Sequence, residues 1–419
     1  MDTSSWDWEV GEKKIPLAEW QDRFKWIEEP YASPDGERVA AIVNVDEGEF
    51  SVCINGEAWE SHFDKIWHLR FTPDGRAMSL VSEGGEWTVA VDGQSWEEKF
   101  GYVWNPLFSA DGRHIAVAVQ NDGRYAMAMD GVAWEQDFVQ MTYFALSADG
   151  LHTAGAVQVA DADSGQIHKF QQGTFSAALD GCAWESMFVN AWQPVISPDG
   201  AHLAVEVRLN LYEYTIAVDG KAWEQKFGCV WTPSFHPQSG AVVAPVRQAG
   251  KWYMAENGRP IWDTPFVQLW NQQFNADGSH LAAIVAPTFG RWTVAVNGRP
   301  WPVTFGELVT DMVFGPDGRS IAALAKEKDG WKTVVDGRVW HNTFDMAFAP
   351  VFAPDGGTVA VRMERKGRYG FALNDRVLDI AAEAAWDPQF SADGRYLLLR
   401  FVESGAYHRR VLPVSAITG

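Results

Sequence analysis

The chain has 419 residues, 47% of them apolar, and a formal charge of -21 from 34 basic and 55 acidic residues. That apolar content supports a large core and excludes a disordered chain. The acidity disfavours nucleic acid and anionic lipid surfaces and favours basic protein partners. There are 22 Trp against 10 Tyr, a ratio whose cause must lie in where the Trp residues fall.

The opening segment MDTSSWDWEVGEKKIP has no basic stretch followed by an apolar one, and no run approaches about eighteen consecutive apolar residues. The expectation is a cytoplasmic chain without direct membrane insertion. Ile15 to Phe24 (IPLAEWQDRF) reads as an orphan strand. A Pro- or Ala-led Asp-Gly turn then recurs along the chain, beginning at Asp35, Asp74, Asp111, Asp149, Asp199, Asp277, Asp317, Asp355 and Asp393. A degenerate member, HPQSG, ends at Gly240. In register with it runs a DG or NG pair followed by Trp, as in DGQSWEEKF (Asp92 to Phe100) and DGVAWEQDF (Asp130 to Phe138). Within residues 101–138, YVWNPLFS, HIAVAVQ, YAMAMD and VAWEQDF read as four antiparallel strands joined by glycine turns. The HIAVAVQ strand is read as alternating in-out. A period near 39 residues is that of a propeller blade.

The fold class is therefore all-β, a β-propeller of about ten four-stranded blades within one repeat domain, 1–419. Residues 386–414 supply three strands of the last blade, and 15–24 are read as the fourth, which closes the ring and hides two sheet edges. One ten-bladed ring is preferred over two five-bladed rings because one closure is visible. The fourth unit carries an insertion, 159–175, between its second and third strands, either a functional loop or a neutral extension.

Nearly all of the Trp residues, 18 of 22, occupy three repeated positions. Trp59, Trp96, Trp134, Trp184, Trp223, Trp262, Trp301 and Trp340 follow the hairpin glycine. Trp87, Trp252, Trp292 and Trp331 begin third strands. Trp67, Trp104, Trp192, Trp231, Trp270 and Trp386 begin inner strands. Wedge filling between blades is the expected role. The inner-strand set is also the candidate partner-binding rim, with Asp161, Asp163 and His168 of the insertion. His114, His152, His202 and His280 fall at equivalent places on different blades, so they read as structural. Glu60, Glu97, Glu135, Glu185 and Glu224 read as edge charges. Cys53, Cys182 and Cys229 lie in no metal or redox spacing and read as small buried apolar residues. No catalytic motif, cofactor-binding motif or metal site is read from the sequence.

The segments VISPDGAHLAVEV (Val195 to Val207) and VFAPDGGTVAVRM (Val351 to Met363) resemble the PD40-type, WD40-like repeats of TolB-like propellers. The Trp abundance and the AWEQDF and AWEQKF segments are similar to the tryptophan-rich D-subunit family of the Tmc transmembrane electron-transfer complex of sulfate-reducing bacteria. That resemblance implies a cofactor-free accessory subunit at the inner face of the membrane. Its partners would be a membrane cytochrome b, a cytoplasmic iron–sulfur subunit and a periplasmic multihaem cytochrome. The alternatives are a small-ligand-binding or enzymatic propeller using the channel mouth, and a general protein-interaction propeller.

Overall fold

The computed structural model describes residues 3–160 and 173–418. Asp161, Asp163 and His168 lie outside the described residues, and so does most of the 159–175 insertion. The chain is all-β, built as ten four-stranded antiparallel blades of a β-propeller; two inner strands are each interrupted into two short pieces. It divides into two compact units, one of Met1–His62 with Asn275–Gly419, the other Phe63–Phe274.

The blade at 102–133 shows how the sequence makes each sheet. Its strands are Tyr102–Phe108, Ile115–Asn121, Arg124–Met129 and Val132–Ala133. In the first turn the Ser109 hydroxyl donates to Asp111 Oδ1 at 2.7 Å, and the same oxygen accepts from the Arg113 N–H at 3.1 Å. At the hairpin into the fourth strand, Asp130 and Gly131 both take positive φ, 49° and 86°. That is the type I′ geometry whose twist suits a hairpin. Asp130 Oδ1 also accepts from the Ile115 N–H at 2.9 Å, so one side chain ties the turn to the second strand.

Two expectations are corrected here. The second strand does not alternate: Ile115, Ala116, Val117, Ala118 and Val119 are all at most 2% exposed. Neighbouring sheets cover both of its faces, so it carries a continuous apolar run. Nor is VAWEQDF a full strand. Pairing covers Val132–Ala133, the Trp134 N–H still donates to the Met127 carbonyl, and the ladder resumes at an isolated Tyr125–Phe138 bridge.

In the unit that holds both termini, strand Gly11–Pro16 pairs antiparallel with Ala406–Pro413 and completes the last blade. Its position corrects the 15–24 boundary: Ala18–Arg23 is a short helix. The AEWQDR segment contains good helix formers, and the Trp20-to-Phe24 spacing fits a helix face as well as an outer-strand pattern. Trp20 is nonetheless 3% exposed and lies against hairpin Gly56, the place an outer Trp takes in other blades. Trp96 covers Gly131, Trp134 covers Gly181 and Trp301 covers Gly337 in the same way. The seam is fastened by the Tyr407 hydroxyl, which donates to the Gly36 carbonyl at 2.9 Å. Arg409 donates to the Asp35 carbonyl at 2.9 Å and pairs with Glu37 at 2.9 Å.

Candidate functional site

Six inner strands break register just after their repeated aromatic or Thr position, for example between Trp67 and Arg70, Trp104 and Leu107, and Trp192 and Val195. The residue that follows is in the left-handed region: His68 at φ 62°, Asn105 at 53°, Tyr143 at 55°, Gln193 at 47°. Such a bulge re-aims side chains near the strand's start. That end also carries the connection between blades and the hairpin between second and third strands, since Gln140, Gln158 and Phe175 lie on one rung.

In the unit 63–274, this end is aromatic. Trp67 packs on Trp87 with centroids 4.9 Å apart and on Tyr102 at 6.2 Å, and Tyr102 stacks on Trp104 at 5.8 Å. Trp104 meets Tyr125 and Phe144, each at 6.0 Å. Further on, Trp192 stacks with Tyr214 at 6.2 Å and Trp231 with Trp252 at 5.2 Å. Trp67 (49% exposed), Trp231 (43%) and Trp270 (38%) reach solvent. Trp104 and Trp192 are half-buried. Trp386 belongs to the other unit, half-buried and edge-on to Tyr407 at 5.8 Å, where it lines a cavity of about 600 Å³ with Arg362 and Glu383.

The second-strand residue on this rung is small or aliphatic in several blades: Leu80 and Ala118 opposite Trp67 and Trp104, and Ala156 and Leu324 opposite Thr142 and Thr310. Opposite Trp192 it is Glu206, 7% exposed. Sequence reasoning missed this residue, although the charge in LAVEVR set against IAVAVQN was a visible signal. Glu206 lines a pocket of about 320 Å³ with Tyr143, Trp192, Tyr214, Trp231 and Thr232. Burial pushes its carboxyl up to about 7, against a hydrogen bond from the Thr232 hydroxyl that favours the anion. No ion pair to Glu206 is found among the described residues. Thr232 sits in the break of the inner strand between Cys229–Val230 and Ser234–Phe235. The Gln272 amide bridges the break, donating to the Thr232 carbonyl at 2.7 Å and to Ser234 Oγ at 2.8 Å.

The other repeated polar residues have local partners. His114, His152 and His202 bond through Nδ1 to hairpin Asp130, Asp180 and Asp219 at 2.7, 2.6 and 2.6 Å. His280 belongs to a blade whose hairpin begins with Asn297 instead of Asp, and its Nδ1 meets Ser279 Oγ at 2.9 Å. Glu60, Glu97, Glu135, Glu185 and Glu224 are exposed. The cysteine expectation holds for buried Cys53 and is corrected for Cys182, exposed beside its hairpin turn, with Cys229 half-buried. Among the described residues no three His, Cys, Asp or Glu side chains are grouped to hold a metal ion, and no helix is long and apolar enough to cross a membrane.

The chain matches no protein-family model and no curated protein. Among solved structures it is similar to a eukaryotic initiation factor, at 13% identity and a TM-score of 0.49 over 78% of this chain and 90% of that one. It is also similar to the Cps50 (Swd1) β-propeller domain of Myceliophteria thermophila, at 12% identity and a TM-score of 0.31 over 64% of this chain and 95% of that one.

Proposed function

We propose that the protein is a non-catalytic docking scaffold that seats basic protein subunits on the aromatic blade ends of residues 63–274. The observation that carries this reading is the exposure of Trp67, Trp231 and Trp270 at equivalent places on a chain of net charge -21. The 209–213 hairpin adds Leu211 (62% exposed) and Tyr212 (77%) at the same end of its blade. Aromatic anchors in an acidic field are how an interface gains both affinity and fast association with a cationic partner. A rigid repeat array supplies such a platform without chemistry of its own.

The finer reading is an accessory subunit of a membrane-associated electron-transfer complex, held near the inner face of the membrane by a cytochrome b and an iron–sulfur subunit. What supports it is the resemblance of the Trp-rich repeats to the D subunits of Tmc complexes. Affinity purification of the tagged protein from native membranes, with mass spectrometry and a visible spectrum, tests both levels. Haem or iron–sulfur subunits that co-elute with the native protein and are lost with Trp67→Ala/Trp231→Ala are the expected result. Protein partners without redox cofactors would retain the scaffold and overturn its redox assignment. A colourless, partner-free eluate would overturn both.

A further inference from the structure

We infer that the pocket around Glu206 is a binding site for an alkylated ammonium ion, held by the faces of its aromatic rings and by the charge of the one carboxylate in its lining. Tyr143, Trp192, Tyr214 and Trp231 supply four aromatic side chains from three successive blades, and Glu206 supplies the only acid. Aromatic faces attract cations electrostatically, most strongly once water is excluded, and Trp is the best of them. The interaction is already present at the margin: the Arg208 guanidinium lies 5.8 Å from the Tyr214 ring centroid. Arg208 is itself tied to the Asn210 and Leu211 carbonyls at 3.0 and 3.3 Å and does not line the pocket.

Glu206 itself calls for a cation. It is 93% buried, it stands where four other blades place Leu80, Ala118, Ala156 and Leu324, and its one hydrogen-bond partner is the neutral Thr232 hydroxyl. A buried carboxylate without a cation is costly, and the protein as described supplies none. A ligand cation would relieve that cost. Burial pushes the carboxyl up to about 7, and a bound cation would stabilise the anion.

Ring chemistry narrows the class further. A primary ammonium or a guanidinium brings three to five N–H donors that all need acceptors once buried. Here Glu206 is the one anionic acceptor, Gln193 and Thr232 add neutral oxygens, and the rings with Val230 and Cys229 close the rest, which leaves few acceptors for so many donors. An alkylated ammonium presents methyl groups to the rings and carries charge without needing those bonds. A metal ion would need several convergent ligands, and no such group is present among the described residues. The volume, about 320 Å³, suits a small ion or the end of a side chain.

This inference does not depend on the scaffold reading and survives its failure. The test is isothermal titration of the full chain with tetramethylammonium and choline, with 3,3-dimethyl-1-butanol as the uncharged isostere of choline. A trimethyl-lysine peptide and its unmethylated twin form a second arm. Saturable binding of the cations, with the isostere at least about tenfold weaker, is expected. Glu206→Gln should weaken cation binding about tenfold, and Trp231→Ala, an exposed position that leaves the core intact, by a similar factor. Tighter binding of choline would support a free metabolite as the ligand, and tighter binding of the methylated peptide would support a partner's lysine. Absence of saturable binding to any of the cations, equal affinity for the isostere, or unchanged affinity in a folded Glu206→Gln would overturn the assignment.

Discussion

Replacing Glu206 by Gln makes the energetics of the pocket measurable without any ligand. Burial lifts this carboxyl from 4.5 to about 7, so between those values the native state holds a proton that the unfolded chain has lost. Unfolding then releases a proton, and native stability falls as pH rises from about 4.5 through 7. At about 1.4 kcal/mol per tenfold change in proton affinity, the cost at pH 8 comes to roughly 3 kcal/mol. Glu206 is 7% exposed, so solvent screens little of it. The Cys229 thiol beside it is also pushed up, by burial and then by the Glu206 charge, so it keeps its proton through this window and adds no opposing titration. Gln keeps the shape and can still accept from Thr232, yet never ionises. Glu206→Gln should therefore match the native protein near pH 5 and exceed it by roughly 3 kcal/mol near pH 8. Because the chain forms two compact units, one global midpoint is a poor readout. Hydrogen exchange of Leu203–Arg208 at both pH values, alongside urea unfolding, reports the relevant unit. A stability difference that stays constant from pH 5 to 8 would refute the account of a buried, unpaired carboxylate.

Other consequences concern the seam and the turns. Arg409, 3% exposed, donates to the Asp35 and Asp7 carbonyls and pairs with Glu37, so Arg409→Met should cost about 3 kcal/mol. Hydrogen exchange across Gly11–Pro16 and Ala406–Pro413 should speed up about a hundredfold; native protection there would contradict it. Burial raises the Glu12 carboxyl, but bonds from His408, Arg410 and Lys14 outweigh it and hold it down to about 2. The stability it lends the closing strand is thus complete above about pH 5 and lost as pH falls towards 2. The gap between native protein and Glu12→Gln in urea should shrink over that range. Gly112 has φ +80°, and a Cβ there would sit 2.3 Å from the Asp74 backbone nitrogen, whereas Gly85, at φ +89°, has nothing within 4 Å. Gly85→Ala should cost only the left-handed backbone penalty, about 1–2 kcal/mol, and Gly112→Ala clearly more. Equal midpoints for the two variants would show that the blade-to-blade approach at Gly112 is not tight.

What could be read from the sequence was whatever a few adjacent residues encode. The Asp-Gly hairpins announce themselves because Asp130 and Gly131 must both take positive φ, and the Trp residues after them recur because Trp96 has a hairpin glycine to cover. The inner-strand bulges were hidden, since left-handed backbone is carried there by His68, Asn105, Tyr143 and Gln193, which share no side-chain chemistry. The short helix Ala18–Arg23 was hidden for another reason: a Trp-to-Phe spacing of four serves a helix and a broken outer strand equally well. Second strands misled because in-out alternation is a property of a sheet with one wet face, and these have none. Glu206 belongs to a third kind of difficulty. It is unremarkable within LAVEVR and becomes anomalous only when the rungs of different blades are laid over one another, where Leu80, Ala118, Ala156 and Leu324 hold the same place. Arg362 and Arg400 depart from that rung too, but Arg362 donates to Asp387 Oδ1 and the Ala385 carbonyl at 2.8 and 3.0 Å, and Arg400 to the Ser33 and Asp387 carbonyls at 2.6 and 2.7 Å. Three charged departures from one repeated rung thus differ in kind: Arg362 and Arg400 fasten the last blade, and Glu206 faces an aromatic pocket with its charge unanswered. In a repeat protein that second combination is the physical mark of a site, because packing alone gives no reason to retain it.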